Sequence, residues 1–346
     1  MLDLSDTAAI KKIDPQDTLA STELIVKQLE AAWTEVNALH FDKEIRGVKN
    51  IVFCGMGASI YGALVLKALQ GPEMPYPVEI ISDYHLPSWV DSNTLVVLTS
   101  YSGTTEEVLS SAQEAKAKSS HMLVLTKGGA LAAFAYENHL PAYIFDAKLN
   151  PAGVPRLGNG YTILGLIGLL NKLNIITVEE HEITNAIIRL KEKFAEIRPR
   201  AMADSEKYLD IIPVVFAAEH LAGNGQILRN QFNETSKTFS SYFLLPDLNH
   251  HLMEGLQFPK DAKLKFLILN SPNYSAKIKQ RMSLTVDVVK QNHRDIEEFM
   301  TSGQTVYDDF LEALTYGSFL TLYLALRYDQ NPAINPWVDY FKEKLK

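Results

Sequence analysis

A single cysteine, Cys54, stands in 346 residues, so no disulfide can form within the chain. It lies in the apolar run Ile51-Val52-Phe53-Cys54, which reads as a buried strand, and no nearby spacing supplies a base that would make it a nucleophile. No stretch approaches about 18 unbroken apolar residues, so no helical membrane span is expected. The opening residues Met1-Leu2-Asp3-Leu4-Ser5-Asp6 lack the basic start and apolar core of a secretory leader, which sets a cytoplasmic expectation. Clustered basic charge is missing too. The net charge is −8 with Lys and Arg scattered, which argues against a nucleic-acid partner. Low-complexity segments are absent.

What is present is apolar mass, 47% of the residues, and a length that favours two domains over one. Helical spacing over residues 18–39 predicts one long amphipathic lead-in helix. Strands are then expected at 51–54, 78–81, 95–99, 122–125 and 142–145, with helices at 60–69, 106–118 and 131–137 between them. Apolar strands alternating with helices predict an α/β fold whose doubly wound parallel sheet is covered on both faces. Helices at 161–173 and 183–194 follow, the second polar enough to bridge two halves. A second alternation predicts strands at 211–217, 242–245 and 264–269, with helices at 226–232, 247–256 and 274–291. An apolar helix at 306–327 and a terminal one at 337–345 complete the chain. The expected domains are 1–175 and 176–346, a duplicated fold.

Two loops carry the strongest chemical signal. Gly55-Met56-Gly57-Ala58-Ser59 lies between a strand and a helix, where glycine lets backbone N–H groups approach an anion and the helix start adds orphan donors. Ser100-Tyr101-Ser102-Gly103-Thr104-Thr105 sets four Ser and Thr hydroxyls and a glycine at another strand-to-helix junction. Helix capping alone accounts for one hydroxyl, not four. In a parallel sheet both loops fall at strand carboxyl ends, where ligands bind. Ile60 stands where a dinucleotide fingerprint needs its third glycine, and no Gly-Lys-Ser/Thr of a P-loop follows. A phosphomonoester is the better match. The second half's counterpart, Ala222-Gly223-Asn224-Gly225, lacks the hydroxyls, so only the first half is expected to cradle phosphate.

Together these loops resemble the phosphate motifs of sugar-isomerase (SIS) domains, most nearly those of the bifunctional phosphoglucose/phosphomannose isomerase family. Pro155-Arg156 with Gly160-Tyr161, Asn233-Glu234-Thr235-Ser236-Lys237, and Leu245-Pro246-Asp247-Leu248-Asn249-His250 are similar to three further segments of that family, in order. Ala58, Ile60-Tyr61 and Thr104 depart from its usual residues, which bears on sugar preference. The resemblance implies two SIS-type α-β-α domains and a metal-independent aldose–ketose isomerase without a cofactor. Its substrate would be a sugar 6-phosphate, bound by Gly57, Ala58, Ser59, Ser100, Ser102 and Thr105.

Such chemistry needs a carboxylate that moves a proton between C2 and C1, and the motif points to Glu234, expected in a loop between helix and strand. Ring opening suits a histidine; the motif favours His250, with adjacent His251 as the alternative, since neighbours on a helix point about 100° apart. The zinc pattern H-E-x-x-H is absent around them. A fixed cation would stabilise the enediol, and the resemblance assigns Arg156 to it. The family's C-terminal lysine falls on Lys342, with Lys344 and Lys346 close by. Family analogy also implies a homodimer in which His250 reaches the neighbouring subunit's site. A non-catalytic sugar-phosphate-binding SIS protein is the alternative. It would keep the loops but would not require Glu234 or His250.

Overall fold

The computed structural model describes residues 3–4, 6–41 and 44–345. After α1 (Thr7–Ile13) the predicted lead-in helix is two helices, α2 (Thr18–Glu23) and α3 (Ile25–Asn37), broken at Leu24. The apolar spacing continues across the break, which is why the sequence reads as one element. The buried face of α3 is Ile25, Val26, Leu29, Ala32, Trp33 and Val36.

The first alternation runs β1 (Asn50–Cys54), α4 (Tyr61–Gln70), β2 (Val78–Ile81), β3 (Thr94–Ser100), α5 (Glu106–Ala117), β4 (His121–Thr126), α6 (Gly129–Glu137) and β5 (Ala142–Ile144). All strands pair in parallel in the order β2-β1-β3-β4-β5. Every residue of β3 is buried, as expected for a central strand covered on both faces. Each buried Val or Leu there contributes about 1.5–3 kcal/mol.

A π-helical turn (Gly160–Leu164) leads into α7 (Gly165–Lys172), where a plain helix is expected. Helix α8 (Glu180–Ser205) is far longer than the predicted 183–194 and packs against both α3 and the later apolar helix, so it does bridge the halves.

The second alternation is β6 (Ile212–Ala217), α9 (Ala222–Glu234), β7 (Ser241–Leu244), β8 (Leu264–Asn270), α10 (Ala276–Gln291) and β9 (Asp295–Met300), in the parallel order β7-β6-β8-β9. The segment expected as a helix at 247–256 is instead two short 3-10 turns, Asp247–His250 and Met253–Gln257. Strand β9 is not expected from its sequence. It is a polar edge strand whose one fully buried apolar residue is Phe299.

Helix α11 (Val306–Arg327) is buried continuously from Asp308 to Leu326, with the carboxylates of its first turns held by Arg189, His220 and Lys193. Helix α12 (Pro336–Lys344) buries nothing. Among the described residues no helix is long and apolar enough to cross a membrane.

Candidate active site

In each sheet the chain reverses its winding direction between two adjacent strands, β1 and β3 in the first. A crevice opens at the carboxyl ends of such a pair. The glycine loop 55–59 and the hydroxyl-rich loop 100–105 both lie there. They are tied to each other, since the Tyr101 N–H donates to Ser59 Oγ at 3.0 Å and Thr99 Oγ1 donates to the Cys54 carbonyl at 3.0 Å. Ser100 Oγ accepts from the Gly103 N–H at 3.0 Å and lies 2.7 Å from Thr105 Oγ1. Thr105 occupies the N-cap position of α5 yet makes no side-chain cap bond, so its hydroxyl is not spent on the helix. Ser102 is exposed, with Oγ 3.0 Å from Thr104 Oγ1.

The predicted phosphate residues therefore divide. Ser59 and Ser100 are buried and build the loops, while Gly57, Ser102 and Thr105 present groups toward solvent. Ala58 is buried beneath them. Gly57 has a left-handed φ of +54°, and a Cβ placed on it would meet nothing within 4 Å, which leaves open space above the turn. Gly103, at φ +72°, is locked differently: a Cβ there would fall 1.7 Å from the Gly128 carbonyl oxygen. Behind the loop, Tyr101 packs at a tilt on Phe145, ring centroids 5.3 Å apart, and its hydroxyl accepts from Asn150 Nδ2 at 2.7 Å. Burial pushes its phenol up to about 12, so it stays a neutral brace.

The first loop's turn, Gly57–Ile60, packs against the turn Pro155–Leu157 that carries Arg156. Arg156 is 2% exposed, and its donors all meet protein acceptors. Nε donates to Thr235 Oγ1 at 3.1 Å, and Nη2 donates to the carbonyls of Pro332 and, at 3.0 Å, Ala333. Nη1 lies 3.6 Å from Glu234 Oε2. In the amide orientation that satisfies its surroundings, Asn335 accepts from Arg156 Nη1 at 3.0 Å and donates to the Glu234 carbonyl at 3.2 Å. Arg156 thus faces the carboxylate as a fixed cation and fastens the segment between α11 and α12 to it.

Glu234 is the last residue of α9 rather than part of a loop. The helix fixes its Cα against the first domain through the packing of α9 on α4. Tyr61, fully buried at the start of α4, feels this cluster: burial first, then the Glu234 carboxylate, push its phenol up. A cavity of about 430 Å³ opens beside Glu234, lined by Arg229, Asn233, Phe239 and Tyr242 among others. Lys237 completes the group, donating from Nζ to the carbonyls of Glu234 at 2.7 Å and Thr235 at 3.3 Å. The sequence reading gives Lys237 no role; its place in the Asn233–Lys237 segment is the only signal.

The remaining predicted residues are not brought to this cluster. His250 ends the 3-10 turn after β7, exposed and without a hydrogen-bond partner among the described residues. His251 faces Asp247, Nε2 to Oδ2 at 3.2 Å, so the two neighbours differ in what they have free. Lys342 is exposed on α12, also without a partner among the described residues. Lys344 lies over the Tyr340 ring at 5.8 Å, and Lys346 falls outside the described residues. A larger cavity of about 950 Å³, between the two sheets' units, contains none of the predicted residues. Among the described residues no three His, Cys, Asp or Glu side chains gather as metal ligands.

The expected loop Ala222-Gly223-Asn224-Gly225 is instead the first turn of α9, so it offers no loop to an anion. At the helix start that follows β8, the Ser275 N–H and Oγ donate to the carboxylate of Glu219 at 2.9 and 2.5 Å. The chain's own anion fills that position.

Residues 44–142 match the SIS domain model, and residues 199–345 match the bacterial phospho-glucose isomerase C-terminal SIS domain model. The bifunctional phosphoglucose/phosphomannose isomerase of Aquifex aeolicus is 29% identical over 332 residues, covering 94% of this chain and 99% of the relative. That of Caldicellulosiruptor bescii is 26% identical over 333 residues, covering 92% and 96%. Both matched segments are SIS domains, and over nearly its whole length the chain is similar to bifunctional phosphoglucose/phosphomannose isomerases. Among solved structures, the tagatose-6-phosphate ketose/aldose isomerase of Escherichia coli superposes with a TM-score of 0.66 at 12% identity, covering 96% of each chain, a likeness of fold. The first alternation thus carries both loops and the Arg156 turn packed on the first of them, and the end of α9 sets the Glu234 carboxylate 3.6 Å from Arg156.

Proposed function

We propose that this SIS isomerase interconverts glucose 6-phosphate, and mannose 6-phosphate, with fructose 6-phosphate through an enediol. One observation carries the reading most: Glu234, from the second alternation, faces Arg156, from the first, on the turn that packs against the Gly57–Ile60 loop.

The chemistry follows from the residues. Phosphate sits on the N–H groups and hydroxyls of Gly57, Ser102 and Thr105, with Ala58, Ser59 and Ser100 shaping the seat. That leaves C1 and C2 to reach Glu234, whose carboxylate removes the C2 proton and returns it at C1. Negative charge builds on the enediol oxygens, and the buried cation Arg156 offsets it without moving. Lys342 is a further candidate cation. Neither a metal nor a cofactor is invoked.

Ring opening falls to His250, and here the single chain is incomplete. Helix α9 returns the chain from the carboxyl end of β6 to the amino end of β7, so Glu234 precedes that strand and His250 follows it. Four strand residues at about 3.3 Å each separate the two edges by over about 10 Å. This supports a homodimer in which His250 enters the partner's site. The exposed apolar side chains of α12, Trp337, Val338 and Phe341, are consistent with a covered face in that assembly. A cytoplasmic setting suits such an enzyme. The domain boundary fits near 175, before α8. A coupled assay for conversion of glucose 6-phosphate to fructose 6-phosphate tests the function. Tight sugar-phosphate binding with no turnover would favour the non-catalytic reading.

A further inference from the structure

We propose that Lys237 is a positioning residue for Glu234: its ammonium caps the carboxyl end of α9 and supplies a second positive charge beside the base. The proposal rests on Glu234 acting as base. A helix leaves its last carbonyls without intrahelical partners, and that end carries partial negative charge. Here the orphan carbonyls of Glu234 and Thr235 both accept from Lys237 Nζ, at 2.7 and 3.3 Å. The left-handed φ of Lys237, +56°, turns the chain so that the side chain folds back onto the helix end. The Glu234 carbonyl also accepts from Asn335 at 3.2 Å, so the base's own peptide is held from two sides.

The charges facing Lys237 are few. Glu234 lies on its own segment and Arg156 on the Pro155–Leu157 turn, while Tyr61 and Arg229 lie behind Glu234. Lys237 forms no ion pair of its own among the described residues; Glu234 is the anion that offsets both cations. Burial, and then the like charge of Arg156, push the Lys237 ammonium down to about 8, with Glu234 opposing. Below that pH the helix end carries a full charge, and above it only a neutral amine.

The test compares Lys237→Met and Lys237→Arg with Glu234→Gln, by the pH dependence of kcat and KM on fructose 6-phosphate and by melting temperature. Lys237→Met should lose on the order of 10²-fold in kcat, the cost of a base displaced by about 1 Å, with KM changed less than about threefold. The wild-type alkaline limb near pH 8 should be absent from it. Lys237→Arg, which stays charged, should recover most of kcat and carry the limb at least about one pH unit higher. A Lys237→Arg limb superimposed on the wild type, or a Lys237→Met kcat within about twofold of it, overturns the proposal. If Lys237→Met does not fold, the position of the arginine variant's limb decides alone. Full activity in Glu234→Gln would remove the base assignment instead. An inactive Glu234→Gln beside wild-type behaviour of both lysine variants removes only the role of Lys237.

Discussion

Arg156 and Glu234 approach to 3.6 Å, Nη1 to Oε2, although 78 positions separate them, Arg156 after the last strand of the first sheet and Glu234 between two strands of the second. The arginine is enclosed and the carboxylate about one-third exposed, so the pair is asymmetric: the cation is fixed and the anion can meet solvent or substrate. This is the arrangement a proton-transferring carboxylate needs, with its counter-charge preorganised.

Replacing Arg156 by lysine keeps a charge but cannot serve Thr235, Pro332, Ala333 and Asn335 together. Arg156→Lys should therefore lower both stability and kcat. Orphaned buried carbonyls cost about 1–3 kcal/mol each, so a loss on the order of 3 kcal/mol is expected in urea unfolding. An unchanged midpoint would show that water replaces the guanidinium without cost.

The loop hydroxyls should separate by role. Ser102→Ala with Thr105→Ala removes hydroxyls that bond only Thr104 and Ser100 of the same loop, and KM for sugar phosphate should rise by about tenfold or more with little change in melting temperature. Ser100→Ala instead removes the acceptor for the Gly103 N–H and should lower melting temperature as well. Equal KM in the double variant and the wild type would take this loop out of the phosphate site.

How much of this was legible from the sequence depends on how local the determinants are. The loops were, because a glycine or hydroxyl at a strand-to-helix junction states its own geometry. So were the strands of both sheets except β9, where Asp295, Glu297 and Glu298 hide an edge strand that buries Phe299. The extent of α8 past Phe194 was not, because Pro199 reads as a helix breaker and only packing on α11 overrides it. The enclosure of Arg156 could not be read either. Its acceptors at Pro332 and Ala333 lie more than 170 positions away, and no spacing rule connects them.

Cys54 should be inert. Burial pushes its thiol up to about 12, so almost no thiolate is present at neutral pH. A thiol-reactive dye should label the folded protein at pH 8 far more slowly than the unfolded chain, and activity should persist throughout. Rapid stoichiometric labelling of the native protein would mean that β1 opens in solution.

Glu234 and His250 lie beyond opposite ends of β7 in one chain. If one chain held a whole site, each single variant would be inactive however subunits were mixed. If His250 reaches the neighbouring site, mixing Glu234→Gln with His250→Ala gives hybrid dimers in which one of the two sites has both native residues. Random exchange of equal amounts makes half of the dimers hybrids, so recovery should approach about one quarter of wild-type activity per site. The singles must fail differently for the result to be read. General-base loss should cut kcat by about 10²–10⁴-fold in Glu234→Gln and abolish exchange of the C2 hydrogen with solvent. His250→Ala should retain that exchange on an open-chain substrate, since ring opening is no longer required. Subunit exchange followed by mass tags, with no activity regained, would place both residues in one chain's site or remove one of them from it.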